Sequence, residues 1–135
     1  MKKTFLLVIA LFILTACSSA SADISGEWKL ISYGDAGNPT PAISNVDTSI
    51  KFDSKGQVNG NVGCNSFSGS YEISGDKITF GSIMSTLMYC EETSAQEQAV
   101  LGVFSDSVKL PIQLSGDTLI ITSADGASAV TLARK

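Results

Sequence analysis

The chain of 135 residues contains no histidine, and this absence narrows the chemistry available to it. A Ser-His-Asp triad, a Cys-His pair and a metal centre with imidazole ligands all need that side chain. The sequence therefore predicts no catalytic residue, no metal site and no cofactor. An enzyme of these common classes is not expected.

Basic residues are also scarce. The chain has nine Lys and Arg residues against 13 Asp and Glu residues, which gives a formal net charge of −4. Binding to the phosphates of a nucleic acid depends on clustered Lys and Arg side chains. We therefore expect no nucleic-acid partner.

No apolar run is long enough to span a bilayer. The longest, residues 5–14, has ten residues, whereas a transmembrane helix needs about 20. Lys2 and Lys3 precede this run, and Leu-Thr-Ala-Cys, ending at Cys17, closes it. The order is typical of a secretory signal peptide. Its end resembles the bacterial lipobox, in which the cysteine is lipidated and becomes the new N-terminus.

These features predict a lipoprotein signal peptide over residues 1–16, a lipidated tether over 17–24 and one domain over 25–135. The alternative is an ordinary signal peptide with a chance cysteine. A lipid on Cys17 would anchor the protein to a membrane of the cell envelope without spanning it. The anchor would lie on the outer face of the cytoplasmic membrane, or in the outer membrane facing the periplasm. Without Lys2 and Lys3, seven basic and 13 acidic residues leave a net charge of −6.

From residue 26 onward, apolar and polar residues mainly alternate, a pattern typical of short antiparallel strands. Gly60 and Gly63 interrupt one of these strands and indicate a bulge or a close backbone approach. The pattern predicts a curved, barrel-like sheet. Strands are expected near residues 27–33, 50–52, 57–65, 70–74, 77–80, 111–114, 118–122 and 127–133. The aromatic residues expected in the core are Trp28, Phe52, Phe67, Tyr71, Phe80 and Phe104.

One segment has a helical period. Ser94 and Glu97 have the spacing of a capping box at a helix N-terminus. A stripe of apolar residues follows at helical spacing, and together they predict a helix over residues 94–106. The stripe consists of Ala99, Val100, Val103, Phe104 and Val108.

Two dense motifs carry the rest of the information. The first is Gly63-Cys64-Asn65-x-Phe67-x-Gly69-x-Tyr71, and the second is Ser85-Thr86-x-Met88-x-Cys90, with Glu97 after it. With the opening Gly-Glu-Trp-Lys-Leu at residues 26–30, they resemble the META domain (HslJ-like) family of bacterial envelope lipoproteins and some protozoan proteins. The resemblance covers residues 25–133. It implies a small, antiparallel, lipocalin-like β-barrel packed against a short helix, hence an all-β fold with one helix.

The cysteines and polar residues of these motifs allow several interpretations. Cys64 and Cys90 form a structural disulfide, two separate buried thiols or a reactive pair, and the disulfide is favoured because an exported chain folds where disulfides persist. Asn65 and the neighbouring serines form a polar site or, more simply, satisfy backbone groups in a tight turn. Glu97, near the predicted helix start, suits the helix dipole.

Three functions compete on these grounds. The leading hypothesis is a non-enzymatic, membrane-anchored envelope lipoprotein, monomeric, that acts through an envelope protein partner. The resembled family is linked to heat shock, novobiocin resistance, virulence and secretion, so a role in stress tolerance or secretion is expected. The second hypothesis is a lipocalin-like carrier of a small apolar ligand. The third is an enzyme that uses a thiol or a carboxylate.

Overall fold

The structure, a computed structural model, describes residues 20–135. The predicted signal peptide and the lipid site Cys17 lie outside the described residues. Within them, ten elements follow one another. They are β1 (Gly26–Asp35), β2 (Thr40–Pro41), β3 (Ser49–Phe52), β4 (Gln57–Asn61), β5 (Ser66–Ser74), β6 (Lys77–Ser85), α1 (Glu91–Phe104), β7 (Leu110–Ser115), β8 (Thr118–Thr122) and β9 (Ser128–Arg134).

Eight of the strands form a closed antiparallel barrel. Consecutive strands from β3 to β9 pair with each other, and β1 pairs with both β3 and β9, which closes the ring. The short strand β2 adds to the outer end of β1 through Pro41 and Thr40. Closure removes most of the unpaired sheet edges. The predicted fold, an antiparallel β-barrel with one helix, is confirmed.

The barrel interior is filled by side chains from alternate positions of the strands. The rings of Phe80 and Phe104 stack with centroids 4.5 Å apart, and Phe67 contacts Phe104 edge-on at 5.9 Å. Phe104 belongs to α1, so the helix contributes directly to the core. Five of the six aromatic residues predicted for the core are buried. Tyr71 is half-buried and packs its ring against Phe52 at the edge of the core.

The close backbone approach predicted at Gly60 is confirmed. A Cβ atom at this position would overlap the backbone of Ser49 and Ile50 on the neighbouring strand β3. The strand itself ends at Asn61, earlier than the predicted residue 65. Beyond it, the chain leaves the sheet to form the loop that carries Cys64.

The predicted start of the helix is wrong. The helix begins at Glu91 with Cys90 as the N-cap residue, and no side chain caps it. Ser94 and Glu97 lie within the helix, and the Glu97 carboxylate contacts the loop after β4 instead of the helix start. Contacts between residues more than 30 positions apart therefore override the local capping signal.

The end of the helix also differs from the prediction. It ends at Phe104, and Val108 is exposed in the following loop. The buried face of the helix mixes apolar with polar side chains: Thr93, Gln96, Glu97, Val100, Val103 and Phe104. Among residues 20–135, no helix is long and apolar enough to cross a membrane.

The chain before β1 packs onto the barrel. Ile24, which the sequence analysis assigns to the tether, is buried, and its carbonyl accepts a hydrogen bond of 2.8 Å from the Trp28 indole. Ala20 and Ala22 lie beside Gly75 and Asp76, at the turn between β5 and β6. The chain therefore approaches the barrel at this end of β6.

Candidate functional site

The polar residues of the two motifs meet at the buried carboxylate of Glu97, whose side chain projects from α1. One oxygen, Oε1, accepts hydrogen bonds from the Cys64 backbone N–H at 2.6 Å and from the Thr93 hydroxyl at 2.8 Å. The other, Oε2, accepts one from Asn65 Nδ2 at 2.6 Å. Glu97 is only 6% exposed. None of the ion pairs among residues 20–135 includes it.

Asn65 uses its full hydrogen-bonding capacity in this network. Its Oδ1 accepts hydrogen bonds from the Thr86 hydroxyl and the Met88 backbone N–H, both at 2.8 Å. Its Nδ2 donates to the Met88 carbonyl at 2.9 Å and to Glu97. An amide side chain has two donors and a two-lone-pair acceptor, so no group remains free. Asn65 thus ties the segment after β6 to the helix.

A disulfide closes the same region. Cys64 and Cys90, 26 positions apart in the sequence, are bonded, with 6.4 Å between their Cα atoms. The favoured interpretation, a structural disulfide, is confirmed over two separate thiols. The bond joins the loop after β4 to the first turn of α1, so both ends of the Asn65–Glu97 contact are covalently held.

Gly63 is required by the same network. A Cβ atom at this position would come closer than 3.0 Å to three atoms of the Glu97 side chain. Any larger residue would push the carboxylate away from its donors. The glycine therefore serves close packing against the helix.

The structure separates the first motif into two groups. Gly63, Cys64 and Asn65 belong to the network around Glu97, whereas the later aromatic residues belong to the barrel wall. Phe67 is buried in the core, and the Tyr71 hydroxyl donates to the Asp53 carbonyl at 2.6 Å. Gly69 lies opposite a register shift in β6, where a Cβ would overlap Ile83.

Sequence reasoning missed two residues that complete the network. Thr93 bonds Glu97, and the fully buried Gln96 accepts from the Ile43 N–H at 2.9 Å and donates to the Val62 carbonyl. The signal available was the position of Thr93, three residues before Gln96 and four before Glu97, since residues three and four apart share one helix face. The predicted apolar stripe leaves these polar side chains out.

Burial and hydrogen bonding act in opposite directions on the carboxyl of Glu97. Burial raises its pKa, but the hydrogen bonds from Asn65, Thr93 and Cys64 favour the charged form and outweigh it. The net effect is a pKa below the ordinary value of a glutamic acid. Glu97 is therefore an ionised structural acceptor at neutral pH.

The network holds an exposed apolar segment, residues 84–89, at the end of β6. Its exposed fractions are 68% for Met84, 94% for Leu87, 59% for Met88 and 82% for Tyr89. Only Ile31 and Val108 are comparably large, apolar and exposed elsewhere in residues 20–135. We call these four side chains the apolar surface. A groove of about 340 Å³ runs between this segment and α1.

The apolar surface is a sound candidate site because exposure of apolar side chains is costly and marks interaction surfaces when it is clustered. The exposure of these side chains is not explained by disorder, because the backbone of the segment is hydrogen-bonded. The Thr86 N–H bonds the Ser66 carbonyl at 3.0 Å, and the Met88 N–H and carbonyl both bond Asn65. Among residues 20–135, no group of three or more Asp, Glu or Cys side chains is placed to hold a metal ion.

The family profile of the META domain matches residues 22–135, almost the entire described structure. The chain belongs to the META domain family. Among curated proteins, none matches the chain. The matched range includes every motif residue described above.

Solved structures support the same barrel fold for this META domain. A protein from Burkholderia xenovorans solved by NMR is 20% identical, with a TM-score of 0.64 over 82% of each chain. A second NMR structure is 21% identical, with a TM-score of 0.58 over 78% of this chain and 86% of that one. A DUF4847 family protein from Bacteroides vulgatus is 12% identical, with a TM-score of 0.61 over 82% and 93%.

Proposed function

We propose that this META domain protein is a non-enzymatic lipoprotein of the cell envelope that acts by binding a protein partner. The observation that carries the proposal is the apolar surface, which the disulfide and Asn65 hold in place while leaving Leu87 almost wholly exposed. A rigid exposed apolar cluster is the usual feature of a protein–protein contact. A role in stress tolerance or secretion would follow from the partner.

Lipidation of Cys17 would place this surface away from the membrane. Ala20 lies at the turn between β5 and β6, whereas the apolar surface lies at the far end of β6. Nine residues of extended strand separate the two ends by about 25 Å. The anchor would therefore hold the barrel with its apolar surface facing the periplasm. Ser18 after the lipid site, in place of aspartate, favours the outer membrane where the organism has one.

The proposal that the protein is not an enzyme rests on how its polar groups are used. The Glu97 carboxylate and the Asn65 amide are both occupied by internal hydrogen bonds, and Cys64 and Cys90 are bonded to each other. Catalysis needs groups that are free to reach a substrate. The network therefore supports a structural role.

The alternative, a carrier of a small apolar ligand, finds less support. Lipocalin-like carriers hold their ligand inside the barrel, but Phe52, Phe80 and Phe104 occupy this interior. A small apolar molecule would have to use the surface groove beside residues 84–89.

Photo-crosslinking in intact cells tests the proposal. A photoreactive amino acid replaces Leu87 in the full-length, anchored protein, and in a matched control it replaces Ile31, an exposed apolar residue on β1. We expect a discrete crosslinked protein from position 87 and none from position 31. Crosslinking only to lipid, or equal diffuse crosslinking from both positions, would contradict the proposal.

A further inference from the structure

Among residues 20–135, strand β6 has an incompletely paired edge, and this edge leads into the apolar surface. Strand β6 pairs with β5 along its length, but its pairing with β7 covers only Lys77 and Ile78. Among the described residues, no strand lies on the β7 side of residues 79–85. The helix α1 lies between β6 and β7 in the chain order. An unpaired edge presents backbone N–H and C=O groups that can bond to another strand.

The register of the hydrogen bonds shows which groups face outward. The Thr86 N–H is directed at β5, where it bonds Ser66, and the Met88 N–H and carbonyl are directed at Asn65. Successive residues of an extended chain direct these groups to opposite sides. Ser85 and Leu87 therefore turn their N–H and carbonyl groups toward the groove.

The groove has the form of a site for one extended peptide. One wall is the segment 85–90, and the other is a side of α1 formed by Ser94, Gln98 and the half-buried Leu101. A strand bound between them would bond to Ser85 and Leu87 and would cover apolar side chains of the segment. Strand addition to a free edge beside a helix is an established mode of peptide recognition.

The acidic residues that follow the segment in the sequence favour a basic peptide. Between Lys77 and Lys109 the chain contains no Lys or Arg, but it contains Glu91, Glu92, Glu97 and Asp106. Glu91 and Glu92 are exposed immediately after the apolar segment. A basic peptide gains from this field, and a second copy of this acidic chain is repelled.

We propose that the groove binds an extended segment of another envelope protein, with alternating apolar and basic residues, by strand addition to residues 85–89. This inference rests on the proposed function and specifies the partner's chemistry. The anionic surface of a membrane is disfavoured as the occupant because the exposed Glu91 and Glu92 follow the segment, and because the predicted anchor lies at the other end of β6.

Synthetic peptides of known sequence test the inference. Fluorescein-labelled nonapeptides of alternating Lys and Val, and of alternating Glu and Val, are titrated with the folded protein, and fluorescence anisotropy is measured. We expect saturable binding of the Lys-Val peptide that is roughly tenfold or more tighter than that of the Glu-Val peptide. N-methylation of alternate valines, which removes the N–H groups needed for strand addition, should abolish binding. Equal binding of all three peptides would overturn the inference.

Protein variants separate strand addition from simple apolar contact. Ser85→Pro removes the N–H that faces the groove, and proline is tolerated at a strand edge, so we expect lost peptide binding with an unchanged thermal midpoint. Glu92→Lys should weaken the Lys-Val peptide and strengthen the Glu-Val peptide, with Glu72→Lys on β5 as the control. If Ser85→Pro unfolds the protein, the N-methylated peptide provides the same test.

The two proposals fail in different ways. If crosslinking from position 87 persists in the Ser85→Pro protein and the Lys-Val peptide does not bind, the partner contacts the apolar surface without strand addition. The inference is then wrong, and the proposed function stands. If the unmodified background gives no crosslink from position 87, the proposed function is wrong, whatever the peptides show.

Discussion

At the scale of single residues, the central contact is the one between Asn65 and Glu97. It joins the loop after β4, the segment after β6 and the helix, and each of its groups has a hydrogen-bond partner. Removing one member leaves buried polar groups without partners, which costs more than the bond contributed. The contact between Asn65 and Glu97 therefore fixes the position of the segment that carries the apolar surface.

Asn65→Ala should destabilise the protein and loosen residues 84–89. The substitution leaves the Met88 N–H and carbonyl and one side of Glu97 without partners, and we expect a loss of about 2–4 kcal/mol in the free energy of unfolding. Urea unfolding followed by tryptophan fluorescence measures it. Asn59→Ala, at an exposed position of β4, is the control. A change equal to that of the control would contradict the account of the network.

The ionised state of Glu97 should make stability depend on acid pH. Because its pKa in the folded protein lies below the ordinary value of about 4.3, the contribution is fully present above that value and is lost as pH falls through the folded-state pKa. Glu97→Gln should therefore be destabilising at pH 7, and the difference from the unsubstituted protein should narrow below pH of about 4. Urea unfolding at several pH values measures this difference, with the exposed Glu72→Gln as control. A difference independent of pH would show that the charge of Glu97 contributes nothing.

At the scale of elements, the sequence predicts strands better than it predicts the helix. Alternation at Trp28 and Leu30, and at Ile50 and Phe52, reports burial on one face of a strand, which is a local property. The helix start depends instead on the contact of Glu97 with Cys64, more than 30 residues away. A capping box that is valid on local grounds was thereby overridden.

Gly102 offers a test of the helix itself. It lies on the exposed side of α1, and a Cβ atom there would meet no neighbouring atom within 4 Å. Gly102→Ala should stabilise the protein by about 0.5–1 kcal/mol because alanine favours the helix and restricts the unfolded chain. Thermal unfolding measures the shift. Gly56→Ala, at a turn position with φ of +80°, is the contrast and should destabilise.

The disulfide links two elements, the loop after β4 and the helix start. Its loss should lower the free energy of unfolding by about 3 kcal/mol, since it restricts the unfolded chain over the enclosed loop. Cys64→Ser with Cys90→Ser, compared with the oxidised protein in urea, measures this contribution. The intact mass of the folded domain should also rise by two hydrogens on reduction. An unchanged mass would mean that the two sulfurs are not bonded in solution.

At the scale of the whole molecule, the barrel separates the N-terminal chain from the apolar surface. The N-terminal chain meets the barrel at the turn between β5 and β6, and the apolar surface lies at the far end of β6. Sequence alone could not predict this surface, because the exposure of Leu87 and Tyr89 depends on how Asn65 holds Met88, 23 positions away in the sequence. The disulfide and the barrel, by contrast, could be predicted from motif and pattern.

The proposed anchor has its own test. Cys17→Ser should move the protein from the membrane fraction to the soluble fraction, because the lipidated thiol is lost while residues 20–135 are unchanged. Fractionation of cells followed by immunoblotting measures the distribution. Ser18→Ala, next to the lipid site, is the control and should remain with the membrane. A Cys17→Ser protein that stays in the membrane fraction although its mass shows that the signal peptide has been removed would exclude the lipid anchor.

The central claim is that the apolar surface is where the partner binds, and crosslinking from a neighbouring position tests it most directly. A photoreactive residue replaces Met84 in the anchored protein, in the presence or absence of Leu87→Ser with Tyr89→Ser, and in the presence of Ile31→Ser as control. We predict one crosslinked partner in the unsubstituted background and in the Ile31→Ser background. The double substitution should eliminate it without changing the thermal midpoint. A crosslink of equal yield in all three backgrounds would contradict the claim.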